Sequence, residues 1–390
     1  MRGNKLVSLF GLGWYFAVIP SAHAQNPVTG GDVAARLAVI AKVGPQGAGS
    51  AEARRARDEL ARSGIEILPP LLAAMDTSNA VAANWYRSIY EEIVDRGLSQ
   101  KETVWPVAFL KAYVSDGRIA GRPRKLVIAL LDRLEPAYRA GWLPSRLDDP
   151  EFRTDAVALA LAAGEQALRD QNDDQAKAEF RRAFEHARDS GQVTQAAQKL
   201  KALGEPADVF AQLGLVTGWW IVGPFDAPEK SGFAAAFEPE TKVELQAAYG
   251  GQAGKEIRWI KHRTTDALGL IDLNGALGAT REAVGYAYAE IDVPRQQPAQ
   301  LRCGADDNCS VWLNGRKVFA REQWLNGTRF DRFITPIALV AGRNTLLVKV
   351  CQGPQHKDPE VPNNWSLQLR LCDDQGRGIE FKTVVPEQKE

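Results

Sequence analysis

The chain has 390 residues, and its 48 Lys and Arg balance its 48 Asp and Glu, so the formal net charge is zero. That balance gives no support to nucleic-acid binding, which rests on a basic surface, and no hold on an anionic membrane. At about 150 residues per domain, the length predicts two or three domains.

The first residues read as a targeting segment. Arg2 and Lys5 precede the apolar run Leu6 to Ile19, and Ala22-His23-Ala24 places small residues before Gln25. This is the pattern of a secretory signal peptide over residues 1–24. The run is too short to span a membrane, which takes roughly 20 residues. No later stretch is apolar enough to span one, so the mature chain is expected to be exported, periplasmic or extracellular.

From Gly31 to about Leu215 the chain reads as helices. Apolar residues recur at three and four in Val33, Leu37, Ile40 and again in Leu60, Ile65, Leu68. Breakers separate the runs at Gly44-Pro45, Ser63-Gly64, Asp116-Gly117 and Gly141 to Pro144. The segment ILPPLLAAMDTSNAVAANWYRSIYEEIV reads as two helices with a cap at Asp76-Thr77-Ser78-Asn79. It resembles a HEAT-type unit, and RKLVIALLDRLEPAYRAGWLPSRLDDPEF suggests a second, so residues 25–150 are expected as a HEAT-like helical domain. The alanine-rich Asp155 to Leu203 reads as three helices broken near Gln171-Asn172 and Ser190-Gly191. It resembles a TPR hairpin, with a plain helical linker as the alternative, over residues 151–215. A short array of this kind buries its apolar faces only against neighbours, and such a surface suits a protein partner.

At Gly218 the pattern changes. Segments such as EIRWIKHR, YAYAEIDV, CSVWLNG, NTLLVKVCQ and NWSLQLRLC alternate or are β-branched, with turn signals between them. That spacing predicts an antiparallel sandwich or barrel over residues 216–390. In LLVKV and LQLRL, the polar Lys349, Gln368 and Arg370 alternate with apolar residues, which predicts one buried and one wet face. Asn314-Gly315 suits a two-residue hairpin turn, with Val311 and Leu313 inward and Trp312 outward. Gly223-Pro224 is expected to end the first strand.

All four cysteines, Cys303, Cys309, Cys351 and Cys372, lie in this region. An even number in an exported chain predicts disulfides. Strand alternation puts Cys303 and Cys309 on the side of Leu301 and Val311, and a bridge between them is the preferred pairing of three. Cys351 and Cys372 fall in phase with Lys349 and Arg370 on an outer face, to pair or stay free. A zinc site is disfavoured, since structural sites need close ligand pairs and no C-x-x-C occurs.

The run GWWIVGPFD, then DLNGALG, GYAYAEIDVP, LRCGADDNCSVWLNGRKVF and LVAGRNTLLVKVCQGPQ with NNWSLQLRL resembles the galactose-binding-like β-sandwich. Its DD-to-VWLNG segment is similar to the corresponding hairpin of PA14-type modules. The resemblance covers about Gly218 to Leu371. It implies a jelly-roll fold and a bias toward glycan, including cell-envelope polysaccharide. It also implies calcium for the pair Asp306 and Asp307, where Asn308-Cys309 replaces the usual small residue. The alternative is an acidic β-turn, because Asp and Asn hydrogen-bond their own backbone, and that alternative is preferred.

The loop Arg321 to Phe333 is the second candidate. Trp324 offers an apolar plate, and Arg321, Asn326, Arg329 and Asp331 offer hydrogen bonds to hydroxyls, a mixture suited to sugars. Trp365 with Asn363 and Asn364 is expected as a second wall. Trp219, Trp220 and Phe225 are expected in packing. Catalysis has little support: His186, His262 and His356 sit on a charged helix, in a basic strand and in a polar loop, and no G-x-S-x-G occurs. The reading is a multidomain chain, α then β, of HEAT/TPR-like helices followed by a jelly roll. Its expected role is non-catalytic binding. A purely structural assembly role and a glycan hydrolase are the alternatives.

Overall fold

The computed structural model describes residues 30–324, 327–358 and 360–384. The expected signal peptide lies outside the described residues. The chain forms two compact units, divided at Pro136 and Ala137.

The first unit is helical. It contains α1 (Gly30–Ala41), α2 (Ser50–Leu60), α3 (Leu68–Met75), α4 (Ala80–Ser99), α5 (Val107–Ser115) and α6 (Gly121–Leu134). Successive helices pack in pairs, α1 on α2, α3 on α4 and α5 on α6. The three-and-four spacing buries Val33, Leu37 and Ile40 of α1. Asn79 caps α4, its side-chain oxygen accepting from the N–H groups of Val81 and Ala82. Tyrosine hydroxyls link the pairs by donating to carbonyls: Tyr86 to Leu37, Tyr113 to Leu72 and Tyr90 to Leu126.

The second unit begins with α7 (Tyr138–Trp142), α8 (Arg153–Arg169), α9 (Asp173–His186), α10 (Ser190–Ala202) and α11 (Val209–Leu213). Asn172 and Asp189 cap α9 and α10. Gly164 lets Phe180 close onto α8: a Cβ there would lie 2.6 Å from the ring. These helices share one compact unit with the sheets that follow.

The join is made largely by backbone. The Leu371 and Gly378 N–H groups donate to the carbonyls of Gly214 and Gln212, and Leu215 bridges to Arg370. At Gly214, φ is +70°, and a Cβ would stand 2.0 Å from the Leu371 carbonyl oxygen.

The strands are β1 (Gly218–Asp226), β2 (Ala248–Gly250), β3 (Glu256–Arg258), β4 (Ile260–Arg263), β5 (Ile271–Asp272), β6 (Ala283–Val293), β7 (Gln297–Asp306), β8 (Cys309–Leu313), β9 (Arg316–Arg321), β10 (Phe333–Leu339), β11 (Gly342–Gln352), β12 (Ser366–Cys372) and β13 (Lys382–Val384). Short helices α12 (Glu238–Thr241) and α13 (Leu273–Leu277) lie between them. The larger sheet has the order β4-β1-β6-β11-β8-β9 with β13 also on β6, the smaller has β10-β7-β12-β5, and β2 with β3 forms a separate hairpin. Every pairing is antiparallel, so the chain is α then β as expected. β1 does not stop at Gly223-Pro224. It runs on to Asp226 with a register shift between Val222 and Phe225, the kind of irregularity that accommodates proline in a strand.

The two sheets bury a common core that includes Trp219, Cys303, Cys309, Val311, Leu313 and Trp365. The expected wet outer faces are a correction. On the larger sheet, Trp220, Phe225, Tyr286 and Trp312 form a second core under Phe233, Phe237 and Leu245 from the segment between β1 and β4. Lys349 is therefore buried, and its ammonium donates to Glu240 of α12 at 2.8 Å and to the Ala235 carbonyl. Tyr286 donates its hydroxyl to the same carboxylate at 2.6 Å. On the smaller sheet, Gln368 and Arg370 are buried too. Arg370 donates to Asp331 and to the carbonyls of Leu213 and Gly376.

Candidate functional site

β7 ends at Asp306 and β8 starts at Cys309, so the turn between them is Asp307-Asn308. The Asp306–Asp307 peptide is cis. The turn differs from the preferred acidic β-turn in where its side chains bond. Both residues are buried, and their carboxyl groups are hydrogen-bonded to each other. Asp307 Oδ2 accepts the Gly353 N–H at 2.8 Å rather than an N–H of its own turn. The Asp307 N–H donates to the Cys351 carbonyl, and the Cys351 N–H to that of Asn308. The turn is thus fastened to the end of β11. Asn308 Oδ1 accepts the Gln323 N–H. Burial, followed by the hydrogen bond and charge of Asp307, pushes the Asp306 carboxyl up to about 7, against a smaller pull from the Gly327 N–H and Arg332.

The β9–β10 loop lies across this turn. The Arg329 carbonyl rests on Gly304, where a Cβ would be 2.2 Å away. The hydroxyls of Thr328 and Ser366 are hydrogen-bonded, and Ser366 stands opposite Asp306 in the sheet. Trp324 is half-buried against the outer core, with its indole N–H on Glu322 and the Lys230 ammonium 5.2 Å from its ring. Gly353 joins the two candidates. A Cβ at that position would lie 2.8 Å from Asp307 Oδ2 and 3.1 Å from the Trp324 ring. Asp307 and Trp324 therefore approach the same backbone atom at the same end of the sandwich.

The other expected residues divide. Arg321, Arg329 and Asn364 are exposed at this end of the chain's β region, with Arg321 5.8 Å from the Phe333 ring. Asn326 lies outside the described residues. Asp331 is not available to a hydroxyl in the way expected. It is held by Arg370 Nε at 2.6 Å and Arg302 Nη1 at 2.8 Å. Burial pushes its carboxyl up, but the two guanidinium groups outweigh this and hold it below the ordinary range. Trp365 is no second wall. It is 0% exposed in the inter-sheet core, and its indole N–H donates to the Val350 carbonyl. Strand register turned it inward.

Cys303 and Cys309 stand side by side in the core as expected, but as thiols in hydrogen-bond contact, not as a disulfide. Cys351 and Cys372 are also free and buried. The sequence reading missed Gly353, Thr328, Ser366 and Lys230. A glycine directly after the long strand β11 was the available signal for Gly353.

Two abutting buried carboxylates suit either a shared proton or a hard cation with oxygen ligands. Gln323, whose N–H is held by Asn308, keeps its side-chain oxygen buried without a hydrogen-bond partner. The turn also holds an orphan donor, Asn308 Nδ2, so its unpaired atoms are of both kinds. Among the described residues, no group of three or more His, Cys, Asp or Glu forms a cluster able to hold a metal, so carbonyl, amide and water oxygens would supply the rest.

No family model matches the chain, and no curated protein matches it. Similar solved structures include a GH2 β-galacturonidase from Eisenbergiella tayi bound to glycerol, at 9% identity and TM-score 0.23, covering 40% of this chain and 25% of that one. A PA14 sugar-binding domain from an RTX adhesin matches at 14% identity and TM-score 0.24, covering 43% of this chain and 96% of that one. A β-glucuronidase from Faecalibacterium prausnitzii matches at 14% identity and TM-score 0.19, covering 41% and 31%. The chain thus spans about a quarter of the GH2 enzyme's length. At these TM-scores the likenesses decide neither ligand nor reaction. No helix among the described residues is long and apolar enough to cross a membrane.

Proposed function

We propose that this is an exported, non-catalytic binding protein whose sandwich recognises carbohydrate at the loop end built on Asp306, Asp307 and Trp324. The convergence of the Asp307 carboxylate and the Trp324 ring on Gly353 carries this reading. A sugar has an apolar C–H face and a hydroxyl rim. Trp324 would take the face, while exposed Arg321 and Arg329, with Asn326, would take the rim. Calcium, when bound, would supply a hard centre for hydroxyl oxygens. Asp306 and Asp307 would hold it. The helix pairs, read as HEAT/TPR-like, would contact a protein partner, and residues 1–24 would direct export.

The test is a glycan array with the full chain, with and without chelator, repeated with Trp324→Ala and Asp307→Asn. Binding lost in both variants and in chelator is expected. Binding kept in Trp324→Ala, or no bound glycan at all, overturns the reading. A melting temperature unmoved by calcium removes the cation from it.

A further inference from the structure

The larger sheet carries a second concavity that the loop end does not use. The pairing of β1 with β6 begins only at Trp220, opposite Tyr288, and β13 takes up β6 from Glu290 onward. The notch between them opens a cavity of about 470 Å³, lined by Trp220, Tyr288, Lys261, His262, Arg263 and Val384 among others. That volume lies within the ordinary range for a small-molecule site, about 300–1,000 Å³.

The lining has a definite chemistry. Trp220 is 2% exposed, yet its indole Nε1–H is buried without a hydrogen-bond partner. A buried indole N–H normally finds an acceptor, and leaving it unpaired is costly. Lys261 lies opposite Trp220 in the β1–β4 register, its ammonium 5.3 Å from the ring. Arg263 stands exposed two pairs further along, opposite Gly218. Burial holds His262 below its ordinary value against the pull of Asp272, so it adds a neutral ring at pH 7. The acid beyond Tyr288, Glu290, is engaged by the Tyr288 hydroxyl and by Arg343. The cavity therefore offers two cations and aromatic carbon, with the unpaired indole N–H of Trp220 buried in its wall.

We propose that this notch binds an organic carboxylate carried on a six-membered ring. The carboxylate faces Lys261 and Arg263, and the ring lies against Trp220 and Tyr288, so the Trp220 indole in the wall reports its arrival. A uronic-acid residue of a glycan and a free aromatic acid share this chemistry. The site is separate from the loop end, and its assignment does not rest on the carbohydrate reading there.

The test uses the full chain with ¹⁵N-labelled tryptophan indoles. It is run in chelator, so that a calcium-dependent loop end is not in play. D-glucuronate and benzoate are titrated, with D-glucose and benzyl alcohol as their neutral counterparts. Trp220→Phe assigns the indole signal. Saturable movement of that signal with an acid and not with its neutral counterpart is expected, and the responding acid identifies the source. Lys261→Gln, on the exposed face of β4, should weaken binding about tenfold, and it keeps the test decisive if Trp220→Phe does not fold. No saturable response to either acid, an equal response to a neutral counterpart, or full affinity in a Lys261→Gln, Arg263→Gln double variant overturns the proposal.

Discussion

The larger sheet covers its outer face with carbon. Phe225, Tyr286, Trp312 and Trp220 lie under Phe233, Phe237 and Leu245, with one ion pair, Lys349 with Glu240, at the centre. The smaller sheet covers its outer face with charge: Arg302 and Arg370 share Asp331, which sits in the same loop as Trp324. Apolar cover needs no fixed partner, whereas a buried guanidinium is stable only with its counter-charge in place. The loop that forms the candidate site is therefore also the counter-charge of the smaller sheet. Through Asp331, site geometry and fold stability are coupled on that face by charge, while on the other the loop's Trp324 rests on apolar cover.

The largest expected effect breaks the charged cover. Asp331→Ala leaves Arg370 buried and facing Arg302 without an acid. It should cost about 3–5 kcal/mol in urea unfolding and also weaken ligand binding, since the loop loses its anchor. A loss below about 1 kcal/mol, the worth of a surface pair, would refute the coupling. On the carbon-covered face, Glu240→Gln keeps shape but removes the charge partner of Lys349. A loss of about 2 kcal/mol is expected, with ligand binding unchanged; impaired binding would show that the site is coupled to this face by charge as well.

A smaller effect depends on pH. The folded Asp306 carboxyl titrates at about 7, above the unfolded value of about 4. Between these values the native state holds the extra proton, so this group's contribution to stability falls as pH rises and is at its worst above 7. Asp306→Asn removes that dependence. Its stability relative to the parent should rise from pH 4 to pH 8, without cation; a flat difference would contradict the raised value. Asp331 has the opposite sign. Its depressed value gives stability that is present above about pH 4 and lost as pH falls through the folded value. Trp324→Ala should have the smallest effect on folding, under about 1 kcal/mol for a half-buried side chain, while abolishing glycan binding. Unfolding curves and array signal separate the two outcomes.

Alternation in the sequence placed Val311, Leu313, Cys303 and Cys309 correctly in the inner core, because period two is a local property of a strand. It failed for Lys349 and Arg370. Their partners, Glu240 and Asp331, lie 109 and 39 residues away, and no local pattern announces cover from such distance. Asp306, Asp307 and Trp324 were legible as chemistry, but the meeting of Asp307 and Trp324 at Gly353 was not, since glycine carries no chemical signature. Trp365 shows the reverse error: a polar neighbourhood, Asn363-Asn364, suggested a surface that register denied. The Trp220 notch depends on where β1 and β13 each leave β6, which is decided by sheet topology rather than by any motif.

Gly214 bears on what is portable in this molecule. Its carbonyl and that of Gln212 receive N–H groups from β12 and the residues beyond it, and the spacing at Gly214 leaves no room for any side chain. A gene fragment beginning at residue 216 would encode a sandwich stripped of those acceptors and of the Leu213 carbonyl that Arg370 needs. The natural cut is at Pro136 and Ala137. A lineage that shuffled this module would be expected to move residues 137–390 together, with the last helices travelling as part of the β domain.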